Sequence, residues 1–401
     1  MRFVLVFTCL LAPAVPSAAQ STKAPTSDEC LDCHGDPSVA RANGSSVAVS
    51  PEIYGKSIHA FACVDCHADL AKTTDWPHAE KLQRVSCATC HEDTVKAVET
   101  SAHYTTGARS AANGNGAHCT DCHGTHDILA SKDPASRTYA LNLPKTCARC
   151  HSGRHLTGAA GQVADNYEDS VHGRGVAKSG LLVSANCTSC HGAHDIKPKT
   201  DPASRVHRTR VASTCTTCHE GIQSIFAKSV HAQPLGSGNT SAAVCSDCHT
   251  SHKIQRAETD AWRLSAIEEC GTCHVDKIST YRDTFHGQVT ALGFTRVATC
   301  SDCHGHHDIL PLGNPASAIS ATNRVATCRK CHTQANENFV KYDPHADKTD
   351  RIGSPALYWT NKFMQVLLGG VFLFFGIHTL AWFPRSFMAR RQRSARREPS
   401  S

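Results

Sequence analysis

The sequence predicts a mainly α chain with extensive irregular structure, built by repeating a short unit and ending in one helix that crosses a membrane. Three observations predict this. A Cys-x-x-Cys-His motif recurs eleven times in 401 residues. Only 6% of residues are aromatic, while 26 glycines and 17 prolines break the chain often, so an ordinary core of large side chains is out of reach. From Phe363 to Phe383 runs a mostly apolar stretch, interrupted chiefly by Gln365 and His378, long enough to span a bilayer.

The first element reads as a secretory signal. Met1-Arg2 is followed by an apolar run from Phe3 to Val15 and by the small-x-small site Ser17-Ala18-Ala19, so residues 1–19 are expected to be removed on export. Of 23 cysteines, Cys9 leaves with that segment and 22 remain. At such density in an oxidising compartment a disulfide framework is the default reading. The spacing overturns it.

Every remaining cysteine belongs to a pair followed at once by histidine. In order these are Cys30, Cys33, His34; Cys63, Cys66, His67; Cys87, Cys90, His91; Cys119, Cys122, His123; Cys147, Cys150, His151; Cys187, Cys190, His191; Cys215, Cys218, His219; Cys245, Cys248, His249; Cys270, Cys273, His274; Cys300, Cys303, His304; and Cys328, Cys331, His332. Two thiols three positions apart lie on one side of a helical turn. There they can add to the two vinyl groups on one edge of a haem, and the next residue presents its imidazole to the iron. Zinc knuckles share the cysteine spacing but do not need a histidine after each second cysteine. The expected cofactor is therefore haem c, eleven copies, covalently held. A haem also supplies the buried apolar surface that the composition lacks.

Sixteen histidines lie outside the motifs. One recurring context is a short helix ending in Ser or Thr, a small or apolar residue, then His: it gives His59, His103, His172, His231 and His286, with His345 at a similar offset in Asp343-Pro344-His345. A second context, three residues after a motif histidine, gives His126, His194, His252 and His307. The pair starting at Cys63 lacks this histidine and has His78 instead, in Trp76-Pro77-His78. These eleven candidates match eleven motifs, so every iron is expected to carry two histidines. His118, His155, His207 and His306 are left as surface or propionate contacts, although His306 could replace its neighbour His307. A saturated iron passes electrons but offers no position to a substrate, which favours a carrier over a catalyst. The alternative is a multihaem oxidoreductase that reduces a nitrogen or sulfur oxyanion at one open haem; His59, His78 and His345 are where a ligand would be missing. End-to-end polymerisation into a wire is a third reading, and the membrane helix argues against it.

The motifs are organised as one leading haem (residues 20–50) and five two-haem repeats, at about 51–102, 103–171, 172–230, 231–285 and 286–345. The repeats' first cysteines are 56, 68, 58 and 55 residues apart. The spacers also match, as Asp133-Pro134-Ala135-Ser136, Asp201-Pro202-Ala203-Ser204 and Asn314-Pro315-Ala316-Ser317, and read as turns. The best helices are expected after the second motif of each repeat, as from His219 to Val230, with sheet limited to short ribbons. The haem region thus spans residues 20–355.

Residues 356–385 form the expected anchor and 386–401 a basic tail. Tyr358, Trp359 and Trp382 flank the apolar run as an aromatic belt, and Arg385, Arg390, Arg391, Arg393, Arg396 and Arg397 follow it. The positive-inside rule puts that tail in the cytoplasm and the signal puts the haem region outside, in the periplasm. Topology explains the arginines more simply than nucleic acid would, and no nucleic-acid partner is expected. His378 within the span either ligates a haem b shared with a partner or touches a quinone, or it packs against a partner helix. Packing is the favoured reading, since one helix cannot hold a b haem alone.

These motifs resemble the membrane-anchored multihaem cytochrome c proteins of respiratory bacteria, through the run Cys119 to His126-Asp127-Ile128 and the run His172 through Cys187 to Ile196. The C-terminal run from Tyr358-Trp359 through Gly376-Ile377-His378 to Pro384-Arg385 resembles the junction where such proteins meet a cytochrome b module. The resemblance implies an extended multihaem c-type cytochrome relaying electrons between an integral-membrane cytochrome b or quinone-reactive subunit and periplasmic redox proteins. It supplies no substrate. The formal charge of +6 is no guide to partners, because each haem adds two propionates.

Overall fold

In a computed structural model, residues 23–105, 116–153, 156 and 158–395 are described. The expected signal segment, His155 and the last six residues of the basic tail lie outside them. The chain divides into two compact units, Met1–Arg210 and Val211–Ser401. Both are built mainly of short helices and turns, the second ending in one long helix, and the only bridge of β type among the described residues joins Ala40 to Ser46.

The motifs themselves are one-turn helices, such as Cys119–His123, Cys187–His191, Cys245–His249 and Cys300–His304. A helix this short does not hold itself together. The third motif residue helps. Asp65, Asp121, Asp247 and Asp302 each accept the backbone N–H of the residue before the first cysteine, at 3.1, 2.7, 2.8 and 2.8 Å. That satisfies one of the donors a helix start leaves open and adds favourable negative charge there.

After the seventh motif a helix does form, over Glu220–Phe226. The Ser-x-His contexts close a helix as expected: Ser57, Ser170 and Thr284 follow directly on Pro51–Lys56, Val163–Asp169 and Val275–Asp283. Two of them also open the next helix. Ser170 caps Val171–Ala177 by accepting from Gly173 N–H at 3.0 Å, and Thr284 caps Phe285–Ala291 by accepting from Gly287 N–H at 3.1 Å. The physical reason is the usual one: a hydroxyl in extended backbone competes best at a helix start.

The spacers are turns, and they repeat in atomic detail. Asp133, Asp201 and Asn314 each accept, through the side chain, the N–H two residues on. Ser136, Ser204 and Ser317 are nearly fully buried and donate to the carbonyl seven residues back, on Leu129, Lys197 and Leu310.

Larger joints fix neighbouring segments. The N–H of Ile58 donates to Ile128 O at 2.9 Å, that of Ala102 to Ile196 O at 2.6 Å, and that of Val230 to Ile309 O at 2.9 Å. In each case the donor precedes a Ser-x-His histidine and the acceptor lies two residues after His126, His194 or His307. Tyr167 and Tyr281 brace two further joints, their hydroxyls donating to Ala185 O and Ala298 O.

What the fold lacks is a core of its own. Among the described residues the buried apolar side chains are Val176, Leu235, Val244, Ile267, Tyr281 and Ala335. The C-terminal helix runs over Pro355–Ala395 and continues past Pro384. Its stretch Pro355–Arg393 is long and apolar enough to cross a membrane, with a mean hydropathy of 2.0 in its most apolar window and none of that window buried.

Candidate functional site

The site is a series of facing histidine rings. In the first unit the ring centres of His34 and His78 are 5.9 Å apart, of His67 and His126 6.3 Å, and of His91 and His59 5.9 Å. Those of His123 and His194 are 6.0 Å apart, and those of His151 and His103 6.1 Å. In the second unit His249 faces His307 at 5.9 Å, His274 faces His231 at 6.4 Å, His304 faces His345 at 6.2 Å and His332 faces His286 at 6.0 Å. Each pair joins one motif histidine to one of the eleven histidines singled out beyond the motifs.

These separations recur within a narrow range, from 5.9 to 6.4 Å. An iron between two imidazole nitrogens, each bond about 2 Å long, sets the ring centres about 6 Å apart. The residues therefore fit the group that the motifs imply. Burial, and then the imidazole opposite, pull His103, His123, His231, His249, His286 and His304 below the ordinary histidine range. Neutral rings are the form a metal requires.

Some rings have their second nitrogen fixed. Nδ1 of His34 lies 3.0 Å from Val47 O and Nδ1 of His78 lies 2.9 Å from Ala79 O, so both sides of that pair donate to carbonyls and keep Nε2 for a metal. Nδ1 of His345 lies 3.1 Å from Thr280 Oγ1, which itself donates to Lys277 O. The irregular candidates His59, His78 and His345 thus all face a motif histidine. His307, not His306, faces His249. His306 instead gives its backbone N–H to Asp308, and His207 bonds Thr209.

The other predicted positions lie on the expected elements. His172 sits in the first turn of Val171–Ala177, His191 closes Cys187–His191, His219 precedes Glu220–Phe226 and His252 lies in the turn after Cys245–His249.

Among the described residues the 22 motif cysteines are joined by no disulfide, and several lie close together. The thiols of Cys30 and Cys63, Cys87 and Cys119, Cys147 and Cys187, Cys215 and Cys245, and Cys270 and Cys300 lie close enough to influence one another. Each pair joins the first cysteine of one motif to that of the next. At the alternate junctions the second cysteine takes over: Cys122 lies near Cys147, Cys248 near Cys270 and Cys303 near Cys328. Thioether formation would abolish thiol titration, so what these contacts carry is proximity. Within each unit consecutive attachment sites follow one another without a gap.

Two kinds of residue escaped the sequence reading. The capping aspartates were visible as Cys-x-Asp-Cys-His, which recurs at Cys30, Cys63, Cys119, Cys245 and Cys300, though the helix at Cys30 starts earlier, capped by Thr26, and does not use Asp32. The bracing tyrosines were visible as Tyr-x-x-Ser/Thr-x-His-Gly, at Tyr167–Gly173 and Tyr281–Gly287.

Over residues 30–103 the chain matches the family of NrfB-like cytochrome c-type proteins. It is similar to the multiheme cytochrome MtrA of Shewanella baltica (strain OS185), with 24% identity over 252 residues that cover 55% of this chain and 68% of that protein. No solved structure matches the chain.

Proposed function

We propose, for a chain that belongs to the multihaem c-type cytochromes, that it relays electrons between a quinone-linked partner in the membrane and redox partners in the periplasm. Haem c, when bound, supplies a one-electron iron couple. The chain's residues position it. Eleven cysteine pairs would anchor eleven haems, eleven motif histidines would ligate one face and the eleven further histidines the other.

The observation that carries this reading is the set of facing rings about 6 Å apart. A ring on each side leaves an iron no position for a substrate, and the cysteine contacts bring one centre close to the next. The topology completes the proposal: export by residues 1–19, a haem region in the periplasm, and the C-terminal helix in the inner membrane with its arginines in the cytoplasm.

The test is spectroscopic. The purified holoprotein should show eleven haems per chain by pyridine haemochrome assay, all low-spin by electron paramagnetic resonance. A high-spin fraction that binds nitrite or cyanide would overturn the carrier reading in favour of an open catalytic haem.

A further inference from the structure

The segment between the last facing histidine and the membrane helix is short and closed on itself. His345 lies ten residues before Pro355. Asp347 accepts the N–H and hydroxyl of Thr349, both at 2.7 Å, and Asp350 accepts the N–H groups of Ile352 and Gly353, both at 2.9 Å. Ser354 Oγ accepts from Asp347 N–H at 3.3 Å, and Ser354 O receives Tyr358 N–H, the first bond of the helix. Lys348 pairs with Asp283 at 2.7 Å, at the end of helix Val275–Asp283, which also carries Thr280, the partner of His345. A connector so tied is a joint rather than a flexible tether.

Its height is set by Arg351, whose guanidinium lies 5.5 Å from the Trp359 ring centre. The turn is therefore drawn down beside the second turn of the helix. Trp359 opens the apolar span, where tryptophan prefers the headgroup level. Ile352, 92% exposed, lies at the tip of this turn, continuous with the lipid-facing helix.

We propose that the turn Asp347–Ser354 is seated in the phospholipid headgroup layer, with Ile352 inserted, and that it holds the His304–His345 centre at a fixed, short height above the membrane. The proposal rests on the anchored reading above and deepens it, naming lipid as the partner and that centre as the one beside it.

The test is site-specific photo-crosslinking of the full-length holoprotein in phosphatidylethanolamine–phosphatidylglycerol vesicles without other proteins. A diazirine amino acid at position 352 should give a lipid adduct. The same group at Val183, also highly exposed at 88%, should give none. A probe at Val366, within the span, separates the two claims. An adduct at 366 without one at 352 overturns the seating of the turn and spares the anchor, whereas loss of both overturns both. Inserting ten Gly and Ser residues between Gly353 and Ser354 should abolish the adduct at 352 and leave that at 366; persistence at 352 would overturn the rigid link.

Discussion

At the scale of the residue, the position after the motif histidine shows how local strain follows from one neighbour. Gly124, Gly192 and Gly305 adopt positive φ there, and a Cβ on any of them would collide with Asp127, Asp195 or Asp308. The fourth such position is Thr250, at φ 62, where Lys253 stands in place of the aspartate. Space for a Cβ exists, but the backbone strain of a β-branched residue remains. Thr250→Gly should therefore stabilise the protein by about 1 kcal/mol, read as an upward shift of the guanidinium midpoint, and Gly305→Ala should destabilise it by more than that. The aspartates add a pH dependence. Asp302 is half-buried, which works against its charge, yet Thr299 and Arg263 hold its carboxyl below the ordinary range. Asp127 is held down in the same way by Thr125 and Arg137. Because the folded values lie below the unfolded one, the stability these carboxylates contribute is complete above about pH 4 and lost as pH falls through the folded values. Asp302→Asn should flatten that acid limb, measured as unfolding midpoints from pH 6 to pH 3.

At the scale of the element, the recurring joint is the hydrogen bond from the residue before one non-motif histidine to the carbonyl two residues after another. Val230 N–H to Ile309 O links the segment of His231, which faces His274, to that of His307, which faces His249. Removing the donor should disturb two neighbouring centres at once. Val230→Pro is expected to shift the low-spin resonance signals of two haems and leave the rest, while Val230→Ala, which keeps the N–H, should leave all unchanged. Equal loss in both variants would show that the side chain, not the backbone bond, matters. The elements also mark what the sequence could tell. The motif spacing and the turns were readable because each is a local pattern, and so were the contexts of the nine further histidines seen facing a motif histidine among the described residues. Which ring faces which was not: His123 meets His194 across 71 residues, whereas His91 meets His59, which precedes it. Such pairings depend on joints like that of Ile58 with Ile128, whose partners carry no mutual signature. The Ser-x-His contexts end helices as the sequence suggested, but that Ser170 and Thr284 also open the next helix was not read, although a hydroxyl in extended backbone favours a helix start.

At the scale of the whole molecule, the chain separates two tasks that a globular protein combines. The haem region has almost no apolar core of protein side chains, so its stability is expected to come from haem burial and from the small polar joints described above. The most apolar window of the C-terminal helix contributes no buried surface to it. The two tasks should therefore come apart cleanly. A chain ending at Gly353 keeps both residues of every facing ring pair, and loses the Ser354 hydroxyl that accepts Asp347 N–H and the Trp359 ring beside Arg351. It should be released from the membrane into the soluble fraction with the same haem content per chain and the same low-spin signals as the full-length protein. A truncated chain that stayed in the membrane would place the anchor elsewhere. One that lost haem or gained high-spin iron would show that the helix supports the His304–His345 centre as well as tethering it.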